Sequence, residues 1–151
     1  MWIVVTVVLA ALAIRGVRAA YVAYLLFAVL LIPARVGFQI QPLVCEFPVS
    51  VASGLYSLPK WGHVLPSALL SLTTLMQFRQ RGARALLWAV ALTLGLGLVA
   101  EFEQGVFRNG NCRMRDLIPD AAGAFLGAAI GWAWSASRRS GATGGLADSG
   151  A

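Results

Sequence analysis

The stretch ALLWAVALTLGLGLVAEF, residues 85–102, carries no charged side chain until Glu101, close to its end. As an α-helix it would extend for about 27 Å at 1.5 Å per residue, which is close to the thickness of the hydrocarbon core of a membrane. The rest of the chain has the same character, because apolar residues make up 59% and charged residues 12% of its 151 positions. The sequence is therefore typical of a polytopic membrane protein and not of a water-soluble domain.

Four further apolar runs lie on either side of this segment, at residues 2–14, 19–32, 61–78 and 117–136. The first two are short for a span of roughly 20 residues. They could form two short or tilted helices, or one long helix whose first part lies along the membrane surface, and we predict two. The predicted fold is therefore an all-α transmembrane helical bundle with five spans, with four spans as the alternative.

The domain organisation follows from these runs and from the segments between them. We expect one domain at residues 1–136, in which the prolines and glycines of residues 36–59 indicate a loop with some membrane contact. The first run lacks a basic leader and a small-residue cleavage site, so a removable signal peptide is not expected. Residues 137–151 are rich in Gly, Ser and Ala, which predicts a disordered cytoplasmic tail.

Arginines without neighbouring acids mark one side of the predicted bundle. They follow the first run as Arg15 and Arg18, occupy the RQRGAR segment at residues 79–84, and follow the last run as Arg138 and Arg139. The positive-inside rule makes this side cytoplasmic, with the amino terminus outside and the carboxyl terminus inside if there are five spans. The net charge of +6 does not indicate a nucleic-acid partner, because these arginines lie at the ends of apolar runs and do not form one polar face.

The two cysteines, Cys45 and Cys112, both fall in loops that this topology places outside. In an oxidising compartment they could form a disulfide that joins the two loops. The alternative is two unrelated, partly buried thiols, because pairing depends on geometry that a sequence does not show.

Polar side chains are concentrated at three helix ends on this same outer side. Each pair has a spacing of three or four residues, so its members share a helix face; the pairs are Lys60 and His63, Glu101 and Gln104, and Asp116 and Asp120. Since burying an isolated charge in hydrocarbon costs several kcal/mol or more, we expect these groups to meet in one polar cavity near the outer leaflet.

The last apolar run also carries a stripe of small residues. Gly123, Gly127 and Gly131 follow the small-xxx-small spacing that lets a neighbouring helix pack closely. The helix that carries Glu101 contains Gly95 and Gly97, and it is the expected partner of this stripe.

Three segments, KWGH at residues 60–63, EFEQ at 101–104 and DLIPDAAGAFLG at 116–127, resemble the VanZ-like family of small bacterial membrane proteins. That family typically has a Lys shortly before a His, then Glu-x-x-Gln, a loop with an Arg, and Asp-x-x-x-Asn-x-x-Gly-x-x-x-Gly. The matching positions, in the family's order, are Lys60, His63, Glu101, Gln104, Asp116, Gly123 and Gly127. Two positions depart from it: Asp120 replaces the usual Asn, and the loop Arg could be Arg108, Arg113 or Arg115, of which we choose Arg113.

The resemblance implies a multi-pass protein of the bacterial cytoplasmic membrane with a role in the cell envelope. Founding members are associated with low-level resistance to the glycopeptide antibiotic teicoplanin. We expect the cavity to bind or remodel an envelope lipid or a lipid-linked glycan. In this hypothesis Arg113 and Lys60 pair with anionic oxygens, and the geometry is fixed by Glu101, Gln104 and Asp116.

Two alternatives to ligand binding remain open on the sequence. In an intramembrane transferase or hydrolase, His63 would act as general base and Glu101 or Asp120 as acid. In a structural or accessory subunit, the same residues would only cap and join helices. No cofactor is expected. His63, Glu101, Asp116 and Asp120 could bind a metal ion, but a dense ligand motif such as H-E-x-x-H is lacking, so no metal site is predicted.

Overall fold

The computed structural model describes residues 2–36, 40–47, 50–78, 82–107 and 112–144. Six α-helices account for most of this part of the chain. They are α1 Trp2–Ile14, α2 Arg18–Val36, α3 Val51–Ser57, α4 Trp61–Met76, α5 Ala83–Phe107 and α6 Leu117–Gly144. The predicted all-α class is confirmed, with one small addition described below.

The first two apolar runs form two helices that pack against each other, as predicted. The turn between α1 and α2 contains Gly16, whose φ of +86° is a left-handed conformation that glycine adopts without strain. The carboxyl end of α1 lies beside that of α4, because the Gln77 side-chain amide donates to the Ala13 carbonyl over 2.7 Å. Arg15 and Arg18 therefore lie at the same end of the bundle as the α4–α5 connection.

The opposite end of the bundle is closed by a disulfide between Cys45 and Cys112. These residues also begin a pair of two-residue parallel strands, β1 Cys45–Glu46 and β2 Cys112–Arg113. A short 3-10 helix, Met114–Asp116, then leads into α6. The pairing that the sequence allowed is thus present, and it joins the loop after α2 to the loop before α6.

The glycine stripe of α6 packs against α4. A Cβ at Gly123 would overlap the carbonyl oxygen of Val64, and a Cβ at Gly127 would overlap that of Ala68. Among the described helices, α4 and α6 make the most extensive contact. The expectation that the stripe packs on α5 is therefore wrong, because the backbone of α4 occupies the groove that these glycines leave.

Helix α5 also uses a glycine to approach α6 closely. A Cβ on Gly97 would lie 2.8 Å from the Asp120 Oδ2 atom. A Cβ on Gly95 would contact nothing within 4 Å. Gly95 and Gly97 thus differ, and of these two glycines only Gly97 makes room for a neighbouring side chain.

The distribution of polar and apolar side chains differs from that in a water-soluble protein. Large apolar side chains are exposed on every long helix, including Ile3 at 80% and Leu87 at 71%. The interior contains hydroxyls and carboxylates, including Thr73, Glu101 and Asp120. Such a surface is suited to contact with lipid.

Within the part of the chain that the structure describes, two helical segments are long and apolar enough to cross a membrane, namely Ala83–Phe107 and Met114–Ser137. Helices α1 and α4 are shorter, with 13 and 16 residues. Five spans are therefore not confirmed by helix length and hydropathy, and that number stays a prediction.

Several predicted boundaries differ from the structure, including that of α5, which spans Ala83–Phe107. Helix α2 continues past the run that ends at residue 32, and the predicted loop at 36–59 contains α3. Helix α6 continues to Gly144, so residues 137–144 are helical although a disordered tail was predicted. Once a helix has formed, each further residue adds one backbone hydrogen bond, so α6 extends beyond its apolar part. The prediction of a disordered tail used composition alone and did not include this effect. Residues 145–151, with Arg79, Arg81 and Arg108, lie outside the described residues.

Candidate functional site

Lys60 and Asp116 join the starts of α4 and α6. Lys60 immediately precedes α4, and its ammonium group forms an ion pair with Asp116 Oδ1. Asp116 ends the 3-10 helix and is 7% exposed. The sequence predicted that polar groups from separate helix ends meet, and Lys60 and Asp116 do so.

His63 lies in the first turn of α4, between Asp116 of the 3-10 helix and Asp120 of α6. Its Nδ1 atom is 3.3 Å from Asp120 Oδ1, and its Nε2 atom is 3.7 Å from Asp116 Oδ2. Ser67, one turn further along α4, donates its hydroxyl to Asp120 Oδ1 over 2.9 Å. Asp120 is 5% exposed, so this contact satisfies a buried carboxylate.

Glu101 brings α5 into the same group. It is 1% exposed, and its Oε2 atom accepts a hydrogen bond from the backbone N–H of Arg113 over 2.8 Å. That N–H belongs to β2, so the disulfide-bearing segment helps to position the carboxylate. Among the described residues, no Lys or Arg nitrogen lies within 4.0 Å of the Glu101 carboxylate.

The Arg113 side chain does not join this cluster. Its Nε atom lies 3.5 Å from Glu46 Oε2, and Arg115 approaches the same carboxylate at 3.9 Å. Arg113 contributes to the site through its backbone, and the predicted role of its guanidinium in binding anionic oxygens is not supported. The reason is that the acidic neighbour, Glu46, lies in β1, far away in the sequence but paired with β2 in space.

A cavity of about 370 Å³ lies between α1, α2, α4, α5 and α6, with the cluster at one end. Its polar lining includes four predicted site residues, His63, Glu101, Gln104 and Asp120, together with Thr6, Ser67, Thr93 and Glu103. Apolar side chains form the opposite part, among them Tyr24, Phe27 and Leu70. Lys60, Asp116 and Arg113 do not line it. The cavity therefore has one acidic, hydrogen-bonding end and one apolar end.

Several lining residues were not predicted from the sequence. Ser67 could have been found, because it follows His63 by four residues and so shares its helix face. Pro66 has no backbone N–H to donate to the Gly62 carbonyl, and both residues line the cavity. Glu103 also lines it, and its buried Oε2 atom has no hydrogen-bond partner within the described part of the chain.

Three residues of the cluster have the chemistry and spacing to bind a metal ion. His63, Glu101 and Asp116 each offer one ligand atom, and these atoms lie within 4.8 Å of one another. The residues come from three separate segments, so no short motif could indicate them. The prediction of no metal site rested on the lack of such a motif, and the geometry leads us to reconsider it below.

Comparison of the chain with protein-family models, curated proteins and solved structures finds no match. The resemblance to the VanZ-like family therefore rests on the quoted motifs alone and stays a prediction.

Proposed function

We propose that the chain is a multi-pass membrane protein with five spans, formed by α1, α2, α4, α5 and α6. The disulfide end faces the oxidising, outer side of the membrane, and the end that carries Arg15 and Arg18 faces the cytoplasm. The exposed apolar side chains of the long helices support this placement. Shorter helices can serve as spans where the bilayer thins or where flanking residues reach the interface.

Within that membrane, we propose that the cavity binds an envelope lipid or a lipid-linked glycan. The observation that carries the proposal is the division of one cavity into an acidic end and an apolar end. A molecule that has both a hydroxylated or amine-bearing head and a hydrocarbon chain could satisfy both ends. The volume of about 370 Å³ is suited to a sugar ring or to a headgroup with the first part of its chain.

The charges at the polar end favour one part of such a molecule over another. Glu101 and Asp120 line the cavity, and the ammonium of Lys60 is already paired with Asp116. Carboxylates accept hydrogen bonds from hydroxyl and ammonium groups and repel phosphate. We therefore assign the polar end to hydroxyl or amine groups of the ligand, instead of to the anionic oxygens that the sequence suggested.

Native mass spectrometry of the purified protein tests the proposal. Wild-type protein released from detergent is expected to carry a bound lipid or glycolipid of defined mass. Ala100 lines the cavity, so Ala100→Trp should fill it and remove this adduct. The matched control is Ala91→Trp on the same helix, because Ala91 is exposed and lines a separate, apolar surface groove.

The outcomes are clearly separated. Loss of the adduct in Ala100→Trp and its retention in Ala91→Trp would support the proposal, and Arg113→Ala should retain it because that side chain contacts Glu46. An adduct that persists in Ala100→Trp protein of normal thermal stability would refute it, as would wild-type protein without any adduct.

The position of His63 between two carboxylates favours a second candidate, an intramembrane transferase or hydrolase. A histidine oriented by a carboxylate is a common general base. The purified protein would convert a lipid-linked sugar into a new product. His63→Ala should abolish that product while the protein stays folded; turnover that survives this substitution would exclude His63 as the base.

A further inference from the structure

We propose that His63, Glu101 and Asp116 form a binding site for one divalent transition-metal cation, such as Zn²⁺, at the polar end of the cavity. This inference goes beyond the proposed ligand, since it depends only on residues of the chain. The ligand set would be one imidazole nitrogen and two carboxylate oxygens, which is a combination that zinc and related ions bind in proteins.

The spacing of the three groups fits a single ion. Their ligand atoms lie within 4.8 Å of one another. Ligands that share one divalent cation at bonds of about 2.0–2.5 Å lie roughly 3–5 Å apart, according to whether they are neighbours or opposite one another. The distance of 3.7 Å between His63 Nε2 and Asp116 Oδ2 lies within that range.

The surroundings of His63 present the correct nitrogen to such an ion. Nδ1 lies 3.3 Å from Asp120 Oδ1, so a neutral imidazole can donate its Nδ1–H to this carboxylate and leave the lone pair of Nε2 available. Asp120 is in turn held by the Ser67 hydroxyl over 2.9 Å. Metal-binding histidines commonly donate their other nitrogen to a carboxylate in this way, which fixes the ring and raises its basicity.

The charge balance of the buried cluster also favours a cation. Glu101, Asp116 and Asp120 are each at most 7% exposed. Among the described residues, Lys60 is the one amine within 4.0 Å of any of these carboxylates. With ionised carboxylates and a neutral imidazole, the cluster keeps two negative charges, and unpaired buried charge is costly. One divalent ion would neutralise it.

A bound metal ion would also act as a partner for the Glu101 carboxylate. Its carboxylate is almost completely buried and receives one backbone N–H, from Arg113. A carboxylate has two oxygens and about four acceptor positions, so a single amide leaves most of them unused. An ion between Glu101 and His63 would also border the cavity, because both residues line it.

Metal binding by the full chain tests the proposal. The protein is purified in detergent, freed of any affinity tag, stripped with a chelator, and titrated with ZnCl₂ and separately with MnCl₂ by calorimetry, with metal content checked by mass spectrometry. We expect one Zn²⁺ per chain. Glu101→Gln, which keeps an acceptor for the Arg113 N–H, and His63→Ala should each abolish stoichiometric binding. Asp120→Asn should weaken it by about 10- to 100-fold.

Glu103→Gln is the matched control, because Glu103 lies on the same helix and lines the same cavity but is not one of the three ligands. It should bind Zn²⁺ like the wild type. Wild-type protein without stoichiometric binding would overturn the proposal, as would equal loss in Glu103→Gln and Glu101→Gln. If one ligand variant fails to fold, the other ligand variant and Asp120→Asn decide the result, since unchanged affinity in the folded variants would also overturn it.

Discussion

At the scale of single residues, the ion pair between Lys60 and Asp116 should stabilise the fold measurably. Asp116 is 7% exposed, so removal of its cationic partner leaves a buried carboxylate poorly compensated. We expect Lys60→Met to lower the free energy of unfolding by about 1–3 kcal/mol, measured by thermal or denaturant unfolding in detergent. The Lys60→Met/Asp116→Asn double variant should lose less stability than the sum of the losses in the two single variants.

The control for this pair is Glu46, which is more than half exposed and lies near Arg113 and Arg115. Glu46→Gln should change stability by less than about 0.5 kcal/mol, because exposed ion pairs contribute little. Strictly additive effects of Lys60→Met and Asp116→Asn would show that this half-buried pair is not energetically coupled.

Some residues of the site could be predicted, because spacings of three or four residues place side chains on one face of a helix. Lys60, His63, Glu101 and Asp116 were grouped because each lies at one end of a helix on the same side, and the structure brings them together. The direction of the Arg113 side chain could not be predicted. It depends on the pairing of β1 with β2, which places Glu46 beside it and which no local pattern indicates.

At the scale of helices, the contact of α6 with α4 depends on the missing side chain of Gly127. A Cβ there would overlap the backbone carbonyl of Ala68, which cannot move aside as a flexible side chain would. Gly127→Ala should therefore lower the free energy of unfolding by about 1–3 kcal/mol or more, because it overpacks the contact. Thermal unfolding of the purified protein measures this change.

Gly95→Ala provides the matched control in a neighbouring helix. A Cβ at Gly95 meets nothing within 4 Å, and alanine favours helix by up to about 1 kcal/mol over glycine. This variant should be as stable as the wild type or slightly more so. Equal destabilisation by Gly95→Ala and Gly127→Ala would mean that the small-residue contact with α4 is not the cause.

The positions of the five long helices were predictable because these helices coincide with hydrophobic runs, but α3 and the pairing of helices were not. The small-xxx-small stripe correctly indicated the packing face of α6. Its partner depends on which helix presents an accessible backbone, and α4 does so at Val64 and Ala68, beside the small side chain of Ser67. More than one helix of this chain carries small residues, so the sequence alone does not decide which of them packs against α6.

At the scale of the whole molecule, the disulfide joins positions 67 residues apart and so connects the loop after α2 to the loop before α6. In the chain-entropy account a loop of that length contributes about 4 kcal/mol, and less if the unfolded helices remain in a bilayer. Reduction of the wild-type protein should therefore lower its unfolding temperature. The Cys45→Ser/Cys112→Ser double variant should start at the lower temperature and be unaffected by reductant; a reductant effect in that variant would point to a different cause.

The proposed five-span topology places specific positions on opposite sides of the membrane. Arg15 and Arg18 at the α1–α2 turn favour the cytoplasm, whereas the disulfide requires oxidising conditions at the other end. Both native cysteines are bonded, so an added cysteine would be the reactive thiol. Three exposed positions report the topology, at Ile3, Val17 and Tyr56.

A membrane-impermeant maleimide applied to intact cells should label Ile3→Cys and Tyr56→Cys, and Val17→Cys only after the cells are permeabilised. The physical reason is that α1 and α2, as two separate spans, carry the chain in and out again before the Cys45 loop. Protection of Ile3→Cys together with labelling of Tyr56→Cys would instead favour four spans, with α1 along the cytoplasmic surface. Labelling of Val17→Cys in intact cells would contradict the orientation itself, because the charged turn and the disulfide would then lie on one side.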